Sequence, residues 1–586
     1  MTLFLSIAWA AFGTAQASFT QIADPDNDLA QQAGIPVYNG VSWVDYNGDG
    51  REDCFVNSNN LYRNDGGGHF TKVDFSPINF GGGNGSSWAD YDGDGDLDVM
   101  IAATPSFLYQ NDGAGQFNSV PLTDTPIDTF NFWSAAWGDY DGDGWLDLAL
   151  LHPAGFLPFS NPISRPSLIL RNNTEGGFEQ ADTPLDDELA AHTVGTWTDY
   201  DRDGDQDLII GSGEVSFLSK DHLYENQLVE TGTPGLARLT EGALAEQLRD
   251  GQNWNFIDYD LDGDLDAFVT NYNSSKANDL YRNEEGTYLR QMESTAGTIA
   301  NQAGAGLNNI WGDFDNDGFQ DCIVLFDGQK DRYYHNNSDG TFTEVEQPFS
   351  TAGSTRGGAA ADYNDDGYLD LMIAAISTSQ VGLYQNEGGV NHWFQLRLQG
   401  NAPNPTAIGA KVWLKATING ATYWQYREVN SQNTFNGHNS YRLHFGLGDA
   451  AQADSLRVEW PDGSTAGAAN LAANQICGWE QGAGNSCEVI TSAEAALTSK
   501  QLALRIVPNP VAGDTFTVHY EQASAKGLTW RVLDSQGKTV KTGRIPGAES
   551  RIGQLEVEVQ QWPNGLYWME LSNAAGRRSA QFFIAR

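Results

Sequence analysis

A nine-residue acidic pattern, D-aromatic-[DN]-x-D-G-x-x-D, occurs seven times between residues 45 and 370 and constrains the fold of this 586-residue chain more than any other feature. Its copies start at Asp45, Asp90, Asp139, Asp199, Asp258, Asp313 and Asp362, at intervals of 45, 49, 60, 59, 55 and 49 residues. A period near fifty residues signals a propeller, a solenoid or an array. Upstream of each copy lies a short small-and-aromatic stretch, such as "SSWA" or "SAAWG". Downstream come an apolar run such as "DVMIAA", an "LYxN" element and a Gly-rich turn. Each unit therefore offers four short β runs separated by turn signals. Four strands per period, repeated seven times, predict an all-β, seven-bladed β-propeller over residues 18–390.

Positions 1, 3, 5 and 9 of the pattern are the candidate metal ligands. They are Asp45, Asn47, Asp49 and Asp53; Asp90, Asp92, Asp94 and Asp98; Asp139, Asp141, Asp143 and Asp147; Asp199, Asp201, Asp203 and Asp207. The last three copies supply Asp258, Asp260, Asp262 and Asp266; Asp313, Asp315, Asp317 and Asp321; Asp362, Asn364, Asp366 and Asp370. Position 6 is glycine in all seven. Ca²⁺ takes six to eight oxygens at about 2.3–2.6 Å, and oxygens at alternate positions converge when a chain wraps tightly round an ion. The glycine supplies the backbone conformation that the wrap needs. The spacing is that of an EF-hand loop shortened to nine residues. About seven Ca²⁺ per chain are expected; Mg²⁺, which keeps several waters, fits less well.

The charge balance, 77 acidic against 32 basic residues and a formal −45, argues against nucleic acid and anionic membranes as partners. The N-terminus, "MTLFLSIAWAAFGTAQASF", has an apolar run followed by Ala15-Gln16-Ala17, so residues 1–17 read as an export signal cut after Ala17, although its start lacks Lys and Arg. No other segment could span a bilayer, so the mature form has no transmembrane segment. In an exported chain Cys477 and Cys487 are expected to pair. Cys54 and Cys322 follow ninth positions in separate copies and read as buried free thiols. The aromatic two residues before each loop (Trp43, Trp88, Trp137, Trp197, Phe256, Trp311, with Ala360 in the last) reads as a packing ring between blades.

The repeats resemble the FG-GAP, or VCBS, repeats of the integrin α-subunit propeller. Residues 391–488, with "IGAKVWLKA", the His444-Phe445-Gly446-Leu447-Gly448 run and Trp460-Pro461-Asp462-Gly463, resemble the ASPIC/UnbV domain of the cartilage acidic protein family and its bacterial relatives. Alternation in "KVWLKA" independently predicts a small β domain. Its histidines, His438 and His444, read as packed rather than catalytic. Residues 489–501 read as a linker. Residues 502–586 alternate strand and turn as a small β-sandwich does. With Pro508-Asn509-Pro510 and Gly565-Leu566-Tyr567, they resemble a type IX secretion sorting domain. That resemblance implies a Bacteroidota-type cell, the type IX secretion machinery as a partner, and a secreted or outer-surface location.

Calcium loops joining the first two strands of each blade would all lie on one face of the disc. The variable loops, "HPAGFLPFSNPISRPS", "GSGEVSFLSKDH" and a long crossover over 231–251, would lie on the other. Phe156, Phe159, Phe217, Lys220 and Arg249 are the candidate ligand-face residues there. Two function classes follow. One is a non-enzymatic adhesion or recognition module for an extracellular glycan or protein ligand. The other is a secreted carbohydrate-active enzyme, a lyase or hydrolase working on the loop face. No nucleophile elbow or HExxH motif is present, and the clustered carboxylates are committed to calcium, so binding is favoured.

Overall fold

The computed structural model describes residues 16–489 apart from 33–37, 39, 57–58, 75–83, 104, 114, 123–130, 154–164, 175–176, 214–217, 351 and 377–381, and residues 503–584 apart from 508–514, 522–527, 535–537, 546–551, 561 and 574–575. The chain forms two compact units, 1–490 and 491–586. The expected leader, save its last two residues, lies outside the described residues, as does the expected linker beyond Val489.

The first five repeats fold as separate four-stranded antiparallel sheets, and the last two are joined in one eight-stranded sheet through the pairing of Asp321–Lys330 with Ala352–Ala361. Blade two is typical: Ser86–Ala89, Asp98–Ile101, Phe107–Asn111 and Phe117–Val120 pair in chain order. The inner strands Val41–Val44, Ser86–Ala89, Ser134–Gly138, His192–Thr198, Gly251–Ile257, Gly306–Gly312 and Ala352–Ala361 touch in sequence, and the last touches the first. The ring is a propeller. Blade seven is completed from the other end of the chain: Phe19–Gln21 pairs with Gly382–Asn386, Phe19 opposite Asn386. That strand begins just past the expected cut after Ala17.

Small residues in the inner strands let the blades approach, and the aromatic ring fills the wedge between them. Trp43, Trp88, Trp137 and Trp197 are at most 1% exposed, whereas Phe256 is only half-buried. Trp137 stacks on Tyr91 of the blade before, with ring centroids 5.8 Å apart. Trp43 stacks in the same way on Tyr363, at 6.0 Å, across the closure. Cys54 and Cys322 are free and fully buried.

The expected crossover over 231–251 is partly blade. Leu236–Arg238 is the outer strand of blade four, and Leu248–Arg249 pairs with Ser219–Lys220 in a separate ribbon. Periodicity hid the short strand because only three residues of it pair.

Residues 392–489 form two further four-stranded sheets around a shared core that includes Phe394, Val412, Leu414, Phe445, Leu456 and Trp479. Cys477 is disulfide-bonded and lies opposite Cys487 in the strand register. The second unit has a three-stranded and a four-stranded sheet, with Phe516, Val518, Val532, Val557, Tyr567 and Met569 in its core. Pro508-Asn509-Pro510 lies outside the described residues.

Candidate metal centres

Each acidic pattern is a tight loop between the first and second strands of its blade. Position 6 has φ between +90° and +118° in all seven copies, a left-handed conformation that glycine adopts without strain. Position 4 is left-handed as well. It is glycine in the first three blades, but Arg202, Leu261, Asn316 and Asp365 hold φ of 57–63° in the others. A non-glycine residue there costs about 1–2 kcal/mol, so the surrounding loop must over-determine the conformation.

Hydrogen bonds inside the loop do part of that. In five copies Oδ2 of position 1 accepts the N–H of the position 6 glycine at 2.7–3.0 Å. The ninth aspartate joins loop to blade. In all seven units its Oδ1 accepts the backbone N–H of the LYxN asparagine at 2.7–2.9 Å. In six units that asparagine's side-chain amide donates to the carbonyl of the position 2 aromatic in the preceding blade, at 2.7–3.0 Å. The bond from Asn64 to Tyr363 spans the ring closure. A latch of carboxylate, asparagine and neighbouring carbonyl thus ties six of the seven loops to the blade before them, Asn283 of the fifth donating instead to the Leu265 carbonyl of its own blade. The repeated "LYxN" was visible in the sequence; its connection to the ninth aspartate was not.

The loops fit a hard cation. Asp53 Oδ2, Asp92 Oδ1, Asp139 Oδ1, Asp199 Oδ1, Asp207 Oδ2, Asp258 Oδ1, Asp260 Oδ1 and Asp370 Oδ2 are buried without a hydrogen-bond partner. Carboxylate oxygens of Asp90, Asp92 and Asp94, and of Asp139, Asp141 and Asp147, lie within 4.8 Å of one another. Burial first, and neighbouring carboxylates second, push Asp98 and Asp266 up to about 9, Asp207 to about 10, and Asp90, Asp139 and Asp258 to about 7. A dication at the centre of each loop would reverse both effects. Blade six adds a nitrogen donor, with His335 Nδ1 3.3 Å from Asp315 and 3.3 Å from Asp321.

This face of the disc is covered by the second β domain, whose basic residues meet the first position of the loops. Arg397 pairs with Asp45 at 3.2 Å and donates to the Gly50 carbonyl. Lys411 pairs with Asp199. Arg442 pairs with Glu52 at 3.2 Å and donates to the Asp362 carbonyl, while Gln395 donates to Asp362 Oδ2 at 2.6 Å.

The same domain sends residues 430–441, NSQNTFNGHNSY, into the middle of the ring, where they meet all seven inner strands. Trp43 N–H donates to the His438 carbonyl at 3.2 Å, and Ser87 to that of Ser431 at 3.1 Å. The Ser431 hydroxyl both accepts from and donates to the Trp137 backbone. Asn255 donates to the Asn433 carbonyl, Phe435 N–H to Asn308, and Ala360 N–H to Asn439. Phe435, fully buried, packs with Trp133, Val194 and Leu307. His438 and His444 are buried, the first stacked on Tyr441 and the second against the Gly367 carbonyl, as packed residues.

On the opposite face, Phe156, Phe159 and Phe217 lie outside the described residues. Lys220 is exposed. Arg249 corrects the expectation: it is 1% exposed, paired with Asp221 at 3.3 Å and Asp279 at 3.4 Å, and lies over the Trp254 ring. It is a buried structural cation, because two aspartates and two aromatic rings offset its desolvation.

A family model for FG-GAP-like repeats matches residues 45–101, 102–150, 258–324 and 313–373. A model described as ASPIC and UnbV matches 400–486, and one for a secretion system C-terminal sorting domain matches 505–585. No match is found among curated proteins. A solved DUF3244 family protein from Bacteroides vulgatus, with an immunoglobulin-like β-sandwich, is 20% identical over 15% of this chain and 96% of its own, with TM-score 0.11. PorZ, a surface component of the type IX secretion system of Porphyromonas gingivalis, is 10% identical over 94% of this chain and 81% of its own, with TM-score 0.19. No described helix is long and apolar enough to cross a membrane. The chain therefore carries FG-GAP-like repeats in a β-propeller, an ASPIC/UnbV domain, and a type IX sorting domain that directs it to the cell surface or the extracellular space.

Proposed function

We propose that this protein is a calcium-rigidified recognition module, not an enzyme, which holds an extracellular glycan or protein ligand on the face opposite its acidic loops. The burial of the ring centre by residues 430–441 carries this reading. With the pore filled and the loop face covered, the face left for a ligand is the one remote from the acidic loops, where Lys220 is exposed. The loop carboxylates support it too. Their oxygens face one another or serve backbone hydrogen bonds within the loop and latch, so they have no acid–base task toward a substrate. Calcium would be held by positions 1, 3, 5 and 9 of each loop, and its chemistry there would be structural cross-linking.

A glycan array and a pull-down with the calcium-loaded mature protein test the reading. Replacing residues 154–164 by a short Gly-Ser linker should abolish capture and leave the melting temperature unchanged. Capture that survives this replacement, or turnover of a bound glycan, would refute it.

A further inference from the structure

Two of the chain's nine histidines, His192 and His222, meet at the end of the inner strand His192–Thr198 remote from its acidic loop. His192 and His222 start two strands of the same sheet, both flanking Asp207–Ser212. His192 is fully buried, and His222 is 5% exposed. Glu188, just after the short helix Pro184–Asp187, brings a half-buried carboxylate to them.

The polar contacts converge on one atom. His222 Nδ1 lies 3.1 Å from His192 Nε2, 2.8 Å from Glu188 Oε2 and 3.2 Å from the Tyr224 hydroxyl. An imidazole nitrogen has a single in-plane lone pair or N–H. The Tyr224 hydroxyl is served by Glu188 Oε2, to which it donates at 2.8 Å; of His192 and Glu188, one hydrogen bond from His222 Nδ1 can satisfy only one, whereas a shared cation satisfies both. The flanking atoms are already fixed. Ser167 Oγ lies 2.6 Å from His192 Nδ1, which turns Nε2 inward. Arg238 holds Glu188 Oε1 at 3.0 Å, so Oε2, which accepts the Tyr224 hydroxyl at 2.8 Å, is the oxygen turned to the imidazoles. Such outer partners are what orient the ligands of a metal. Burial also holds both imidazoles neutral, as ligation requires.

We propose that His192, His222 and Glu188 form a binding site for a single zinc-type divalent cation, separate from the acidic loops. Bonds of about 2.0–2.1 Å to a tetrahedral ion place ligand atoms about 3.3 Å apart, and the observed separations of 2.8 and 3.1 Å are within a few tenths of that. Two imidazoles and one carboxylate suit zinc, whereas calcium prefers an all-oxygen shell. Tyr224 or a solvent molecule completes the shell. The site lies beside the points where residues 154–164 and 214–217 leave the blades, since Ser167 and His222 follow them closely in the chain. It therefore deepens the proposed recognition face, on whose reading it rests: the buried ion would brace the blade that carries that face.

Full-length protein saturated with Ca²⁺ is exposed to Zn²⁺, passed through a desalting column, and assayed for both metals by elemental analysis. The visible spectrum with Co²⁺ substituted for zinc reads the geometry. Wild type should retain one zinc per chain, melt at a higher temperature with zinc, and give an intense tetrahedral cobalt band. His222→Ala and Glu188→Gln should lose all three responses and keep their calcium. Glu188→Gln preserves shape at a half-exposed position, so it tests the site even if His222→Ala folds poorly. No zinc on the wild type, or equal zinc on wild type and Glu188→Gln, would overturn the proposal and leave a hydrogen-bonded relay. The recognition reading has its own test in the 154–164 replacement, which removes none of the three ligands.

Discussion

The two faces of the propeller are built on opposite rules. One carries seven near-identical acidic loops, six of them latched to the neighbouring blade, overlaid by a second domain. The other carries an exposed Lys220 and the buried pair His192 and His222, and the sequence there differs in length from blade to blade. Repetition marks the face that holds the ring together, because every blade must solve the same packing problem. Irregularity marks the face where one blade can change without disturbing the rest.

Removing the metal should separate the faces most sharply. If each loop binds Ca²⁺ only when folded, ten times the dissociation constant adds about 1.4 kcal/mol per loop, roughly 10 kcal/mol over seven. Exhaustive chelation should lower the calorimetric melting temperature by tens of degrees. A shift of a degree or two would mean that the loops are mere acidic turns. The metal-free protein should also respond to pH in an unusual direction. Asp98, Asp266 and Asp207 titrate higher folded than the ordinary carboxylate, at about 9, 9 and 10. The folded state therefore holds extra protons, and that stability, complete below about pH 4, is lost as pH rises toward 9. Metal-free protein should melt higher at pH 5 than at pH 8. The calcium-loaded form should do the opposite, because acid competes with the ion.

The next effect in size tests the plug. Phe435→Ala empties a fully buried site in the ring and should cost about 3–5 kcal/mol in urea unfolding. Asn111→Ala breaks one latch and strands the Tyr46 carbonyl, for about 1–3 kcal/mol. Asn283→Ala should cost less, since its side-chain amide donates within its own blade, to the Leu265 carbonyl. Equal losses at the two positions would show that the link between blades contributes nothing. Lys220→Glu, on the irregular face, should shift stability by less than about 0.5 kcal/mol while changing ligand capture.

The blades and their loops were legible because a fifty-residue period with fixed glycines admits few folds. The packed role of the tryptophans followed from the same regularity. What escaped was whatever is not repeated. Residues 430–441 read as one polar stretch of a β domain, since no pattern says that Ser431 and Asn439 will find partners among strands some 300 and 80 residues earlier. Arg249 looked like a surface cation because charge in a loop usually means exposure. Its partners, Asp221 just before the strand His222–Asn226 and Asp279 at the start of another strand, share no motif with it. The histidine cluster escaped for the same reason, with Glu188 in the connection from blade three and His192 and His222 on different strands of blade four.

The strand Phe19–Gln21 sets the order in which the molecule can finish folding. Its partner, Gly382–Asn386, is among the last parts of the ring to leave the ribosome, so the earliest residues must wait for nearly the whole propeller. Without that pairing the edge of Gly382–Asn386 would be open, and closing so long a separation in sequence is slow. A leader that keeps Phe19 occupied during export would hold that edge open, and its removal would release the clasp. Ring closure would then be timed by processing rather than by synthesis.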